Sequence, residues 1–159
     1  EPASANTMSA DFRIDFGAVL DHGEVWAECW QDGVCTQSEP LMLQKADEQL
    51  HLLIQRPDSS GQGASSVQLS MQGQASDAVL SRFELPGMMQ GFGFKSYEDG
   101  QELYTWDGES YVLAAFAPDF GEGVRLYDCI DLTALPDLYQ NAKCMILVKA
   151  MFSADEFAH

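Results

Sequence analysis

Apart from its acids, the chain offers few residues that could do chemistry: four cysteines, three histidines and one apolar, glycine-rich run. Cys29, Cys35, Cys129 and Cys144 are even in number and lack the C-x2-C knuckle that zinc sites favour. Disulfide pairing is the chemistry they suit. Trp26 to Trp30 reads as a strand, Gln31-Asp32-Gly33 as a three-residue turn with Gly33 at its left-handed position, and Val34 onward as the returning strand. That register sets Cys29 opposite Cys35, within bridging distance. Cys129 and Cys144 flank an expected helix and form the second predicted bridge.

His22, His51 and His159 are scattered, and none sits in an H-E-x-x-H pattern. No G-x-S-x-G elbow is present, and Gly91-Phe92-Gly93-Phe94-Lys95-Ser96 lacks the third glycine of a dinucleotide fingerprint. The reading is therefore of a chain with no catalytic residues, no metal ligands and no cofactor. Two alternatives stay open. Glu98 with Asp99, or Asp119 with Glu122, could serve a small carboxylate-dependent hydrolase. The turn Asp119-Phe120-Gly121-Glu122-Gly123 could make the chain a calcium- or ligand-binding module of an envelope assembly, although it departs from the calcium-loop order.

The strongest functional candidate is apolar. Pro86 to Phe94 holds three Gly, which disfavour a regular element, and two Met with two Phe, which disfavour a solvated loop. Met88, Met89, Gln90, Phe92 and Phe94 are predicted to fill a partner's cleft, with Tyr97, Glu98 and Asp99 as a polar rim for its Arg or Lys. The competing expectation is a loop folded onto the core, with Phe92 and Phe94 as plugs.

Eight Lys and Arg stand against 25 Asp and Glu, a net charge of −17. Nucleic acid is excluded as a partner, since phosphate contacts need clustered cations. An anionic membrane surface is disfavoured, and no apolar run approaches the roughly 18 residues of a spanning helix. At 17.5 kDa and 46% hydrophobic residues the chain suits one domain with a proper core. Glu1 to Thr7 is small and polar and reads as the flexible start of an exported chain, so residues 1–10 are expected as a mobile leader-free terminus and 11–159 as the domain. A periplasmic setting fits that start and the paired cysteines.

Element by element, the pattern predicts an α+β fold: a single, mainly antiparallel sheet domain with two or three short helices. Strands are expected from 11 to 20, at 24–38 as a hairpin, at 41–43, 49–55, 67–72, 124–130 and 145–152. Ser76 with Val79, Leu80 and Phe83 predicts a helix ended by Pro86, and Leu132, Leu135, Leu138, Tyr139 and Ala142 another. Ser153-Ala154-Asp155-Glu156 reads as a capping box. Asp107-Gly108 predicts a type I′ hairpin that pairs Tyr104 with Tyr111.

The run Tyr104-Thr105-Trp106-Asp107-Gly108-Glu109-Ser110-Tyr111 resembles the Y-x-W-D-G-x-x-Y hairpin of many small exported bacterial proteins. Among these are periplasmic immunity proteins of type VI secretion effectors, which the acidic, strand-rich, single-domain organisation is also similar to. The resemblance implies a non-catalytic periplasmic inhibitor that blocks the cleft of a secreted hydrolase of wall or lipid. Such a partner is expected to be basic, because its substrates are anionic and a −17 protein would be steered to it.

Overall fold

The computed structural model describes residues 7–15, 22–44, 49–55, 64–74, 77–96, 102–104 and 110–153. Their backbone forms strands β1 (Thr7–Asp15), β2 (His22–Gln31), β3 (Val34–Gln37), β4 (Leu41–Gln44), β5 (Gln49–Gln55), β6 (Ala64–Gln72) and β7 (Asp77–Met89). β8 (Gly91–Ser96), β9 (Glu102–Tyr104), β10 (Ser110–Asp119), α1 (Cys129–Ala134), α2 (Asp137–Gln140) and β11 (Cys144–Ser153) follow. A first sheet runs β7-β6-β5-β1-β9; a second runs β3-β2-β11-β10-β8, with β4 also on β2. All pairings are antiparallel except β1 with β9. The fold is thus mostly antiparallel sheet with two short helices in one compact body, as the α+β expectation had it.

Period-two patterning explains the first sheet. Leu50, Leu52 and Ile54 of β5 and Val67, Leu69 and Met71 of β6 point one way and are buried. Between them Gln49, His51, Gln68, Ser70 and Gln72 point the other way. The buried set meets Val25, Ala27 and Cys29 of β2, Phe116 of β10 and Ile146, Val148 and Phe152 of β11 in one inter-sheet core. Each fully buried Phe or Leu there contributes roughly 1.5–3 kcal/mol. β2, β10 and β11 are buried on both faces, because α1 and α2 lie on the outer side of the second sheet. Leu132 and Tyr139 there pack on Val112, Ala115, Met145 and Leu147. Gly23 is required where it stands: a Cβ there would lie 2.7 Å from Cδ1 of Phe152, its neighbour across the ladder.

Several expectations need correction. β1 starts at Thr7 with Ala10 in the core, so residues 7–10 belong to the domain rather than to a flexible terminus. The predicted helix at 79–83 is β7. Leu69 pairs Ser81 and Ser70 pairs Val79, leaving Leu80 as a bulge. That extra residue puts buried Leu80 and Phe83 three apart, which imitates helical spacing. Pro86 is tolerated because β7 is an edge strand. Residues 123–128 are irregular where a strand was expected, and the second helix is divided by Pro136, which stands at the entry of α2. β9 lies in the first sheet and β10 in the second, so Tyr104 and Tyr111 are not partners; the Asp107-Gly108 turn and the 153–156 capping box fall wholly or largely outside the described residues.

The hairpin after β2 has a two-residue turn. Gln31 pairs Val34, and Asp32 (φ 50°) and Gly33 (φ 87°) are both left-handed, the type I′ pattern. A turn one residue shorter than predicted shifts the register by one residue. Cys35 therefore faces Trp30, and Cys29 faces Thr36, on the opposite side of the sheet. The predicted Cys29–Cys35 bridge is lost to this parity. The predicted Cys129–Cys144 bridge fails likewise: Cys129 packs in the helix layer and Cys144 in the inter-sheet core. All four cysteines are free thiols here.

Candidate functional site

A helix of four residues has no stability of its own, so α2 must be held from below. Trp26, Glu28 and Trp30 alternate onto the outer side of β2. Trp26 donates from Nε1 to Glu28 Oε2 at 2.8 Å, and Trp30 donates to Oε1 at 2.9 Å. Lys149 of β11, directly opposite Trp26, reaches diagonally to Glu28 Oε1 at 3.0 Å. The same ammonium donates to the Tyr139 hydroxyl at 2.8 Å and lies 4.6 Å from that ring's centroid. Trp30 packs on Tyr139 with centroids 5.5 Å apart.

The side chains of Glu28 and Lys149 are only 8% and 13% exposed. Burial opposes the charge on Glu28, yet the two indole donors and Lys149 outweigh it and hold the carboxyl below its ordinary range. Burial likewise opposes the charge on Lys149, but the Tyr139 hydrogen bond and Glu28 keep its ammonium above the ordinary value. Both groups are charged near neutrality. A desolvated ion pair is thus closed over by Tyr139, and this contact fixes α2 on the sheet.

Away from that anchor, α2 forms one wall of a cleft of about 340 Å³, a size that suits small ligands or a few side chains. Pro118, Phe120, Tyr127, Leu138, Ala142 and Met145 line it, and Glu122, Arg125, Asp137 and Lys143 supply charge. The opposite wall is a shaped loop. Asp119 Oδ1 accepts the amides of Gly121 at 2.8 Å and Gly123 at 2.9 Å, and both glycines have positive φ, 109° and 82°. Lys143 pairs with Glu122 at 3.0 Å and lies 5.6 Å from the Phe120 centroid. Farther along, Leu126 covers Gly93, and Asp128 pairs with Lys95 at 3.2 Å. This apolar floor can seat an apolar side chain, and its charged sides hold two acids and two bases.

Of the two expectations for the 86–94 run, the placement fits the loop folded onto the core, with Phe92 and Phe94 as plugs. Met89 is buried, Phe92 stacks on Phe116 at 5.3 Å between centroids, and Phe94 packs against the same core. The segment is a corner where the chain leaves the first sheet for the second. Met88 and Gln90 remain exposed. The Gln90 amide donates to the Asp119 carbonyl at 2.8 Å, so the corner braces the cleft loop from behind. Tyr97, Glu98 and Asp99 lie outside the described residues. Of the calcium candidates, Asp119 is engaged by backbone amides and Glu122 by Lys143. Among the described residues no group of three His, Cys, Asp or Glu is gathered for a metal, and no helix is long and apolar enough to cross a membrane.

Two groupings escaped sequence reasoning. Glu28, Tyr139 and Lys149 had one visible signal, the run Trp26-Ala27-Glu28-Cys29-Trp30, which puts an acid between two indoles on one strand face. On the outer face of the first sheet His51 Nδ1 lies 2.7 Å from Asp11 Oδ1, at directly paired positions. Arg13, Gln49 and Gln72 share that shallow depression of about 600 Å³. Compared with protein-family models, with curated proteins and with solved structures, the chain finds no match in any of the three.

Proposed function

We propose that this chain is a non-catalytic binding protein of the inhibitor type, which takes a cationic protein partner at the cleft between α2 and the Asp119–Tyr127 loop. The observation that carries the reading is the distribution of charge. The net charge is −17, and of the six described cations, Arg13, Arg82, Lys95, Arg125, Lys143 and Lys149, four are already paired with the chain's own carboxylates. The surplus negative field therefore steers a basic partner and opposes an acidic one. The cleft adds an apolar seat for an anchor side chain, where Asp137 and Glu122 stand beside Arg125 and Lys143, so the attraction of a cationic partner comes from the net charge of the whole chain. A secreted basic hydrolase acting on anionic wall or lipid, held in check in the periplasm, is the partner class that suits this field. The immunity-type role implied by the resemblance of the Tyr104–Tyr111 run belongs to the same proposal, although Tyr104 and Tyr111 are not strand partners.

The test uses the full chain as bait in an envelope extract at low salt, beside a Glu122→Lys, Asp137→Lys variant. The reading expects a basic hydrolase retained by the first bait, released as salt rises, lost from the variant and inactive while bound. Equal retention by both baits, or a retained enzyme that stays active, overturns it.

A further inference from the structure

Cys29 and Cys144 were each assigned another partner by sequence, and the ladder between β2 and β11 brings them together instead. Cys29 pairs Ile146 and Cys144 pairs Gln31, so the two cysteines are diagonal neighbours with the same parity. Both point into the inter-sheet core, 2% and 6% exposed, as near neighbours there. Cys144 opens β11 and Gln31 closes β2, beside the Asp32-Gly33 turn. A ladder end gives more readily than its middle, so a local shift there can bring the two neighbouring sulfurs to the roughly 2.05 Å of a bond. Cys35, on the other face of β2, and Cys129, in the helix layer, have no such neighbour. We propose that Cys29 and Cys144 are a disulfide-forming pair that staples β2 to β11, closed by thiol–disulfide exchange with a protein or small-molecule disulfide.

The chemistry balances in two steps. The Cys29 thiolate attacks one sulfur of the oxidant disulfide, forming a mixed disulfide and releasing one thiolate. Deprotonated Cys144 then attacks the Cys29 sulfur and releases the second thiolate. Two electrons pass from the pair to the oxidant, and the two cysteine protons end on the released thiolates. Either cysteine can attack first, because exchange acts on a chain whose core has not yet closed. In the folded protein Gln31 donates from Nε2 to the Cys29 sulfur at 3.4 Å and to the Glu84 carbonyl at 3.0 Å, so the ladder end is tied to β7. Both sulfurs are sealed in the folded core, so exchange belongs to folding, before the sheets close. The inference is independent of the proposed partner.

The reduced full chain is refolded with a mixture of oxidised and reduced glutathione, alkylated under denaturing conditions and mapped by peptide mass spectrometry without reduction. The expected result is one linked pair of peptides carrying Cys29 and Cys144, with Cys35 and Cys129 alkylated. The oxidised chain should melt on the order of 10 °C above the reduced one, because the bridge closes most of the chain into one loop. A Cys35→Ala, Cys129→Ala variant should keep both the link and the shift. A link between any other two cysteines, or four alkylated cysteines after oxidative refolding, overturns the proposal.

Discussion

The two sheets present outer faces built by the same alternation and put to different use. On the first, Asp11 and His51 form a hydrogen-bonded polar pair with their side chains 79% and 43% exposed. On the second, Glu28 and Lys149 form an ion pair with 8% and 13% exposed. What differs is the cover. α1, α2 and Leu126 lie over the second face, whereas the described part of the first is an open row of Gln, Ser and charged side chains. Paired polar side chains therefore mean different things. In water such a pair is a minor contact. Under a helix it is a commitment, since each partner is costly without the other.

The largest expected effect comes from splitting the covered pair. Lys149→Met should lower unfolding free energy by about 3–5 kcal/mol, because Glu28 is left buried with its cation gone. Adding Glu28→Leu should recover part of that loss, less what the Trp26 and Trp30 indole N–H groups lose with their acceptor. Urea midpoints of the single and double variants check this, and a double variant no better than Lys149→Met would mean the network contributes net stability beyond what apolar packing supplies.

How far the sequence reached follows the same division. Strands whose alternation is uninterrupted, such as β5 and β6, are legible to within a few residues, because period two needs no knowledge of the partner strand. Legibility fails where one residue changes the count. The bulge at Leu80 turns a strand into an apparent helix, and a turn one residue short at Asp32-Gly33 moves Cys35 to the other face. The candidate site was less legible still. Phe92 and Phe94 have the composition of a docking loop, but the next sheet supplies Phe116 for them to pack on, which no local pattern announces. Lys149 and Tyr139 meet Glu28 only after a strand from the far end of the chain is laid beside β2.

Steric cover gives the second contrast. Gly93 faces outward from β8, and a Cβ there would stand 2.5 Å from Cδ1 of Leu126. Gly93→Ala should cost about 1–3 kcal/mol, as overpacking does, with the loop wall of the cleft displaced. Ser70→Ala, outward on the first sheet, should stay within about 0.5 kcal/mol, as uncovered surface changes do. Similar losses at the two positions in denaturant titrations would say that the first face is covered after all.

The covered pair also sets a pH signature. The Glu28 carboxyl is held below its ordinary value of 4.5, so its contribution is complete above 4.5 and is lost as pH falls through the lower folded value. Lys149 is held above its ordinary 10.5, so its contribution is complete below 10.5 and is lost as pH rises through the higher folded value. The stability difference between the native chain and the Glu28→Leu, Lys149→Met variant should therefore be flat between those two values and change beyond each. A difference that changes steadily through neutrality would assign the coupling to other groups.

The smallest effect belongs to the open face, and it is the most informative about function. A double-mutant cycle on Asp11→Asn and His51→Gln should give a coupling of at most about 1 kcal/mol, falling further as salt screens it. The pair spans β1 and β5 at directly opposed positions, so its geometry is set by the ladder and little side-chain ordering is needed. Water is then what keeps the coupling small. Repeated in the presence of a captured partner, the cycle separates two docking modes. A coupling unchanged by the partner leaves the first sheet free and keeps the interface at the α2 cleft. A coupling that grows severalfold and loses its salt dependence means the partner has excluded water from Asp11 and His51. The open face would then be the docking surface, and the cleft only its neighbour in the fold.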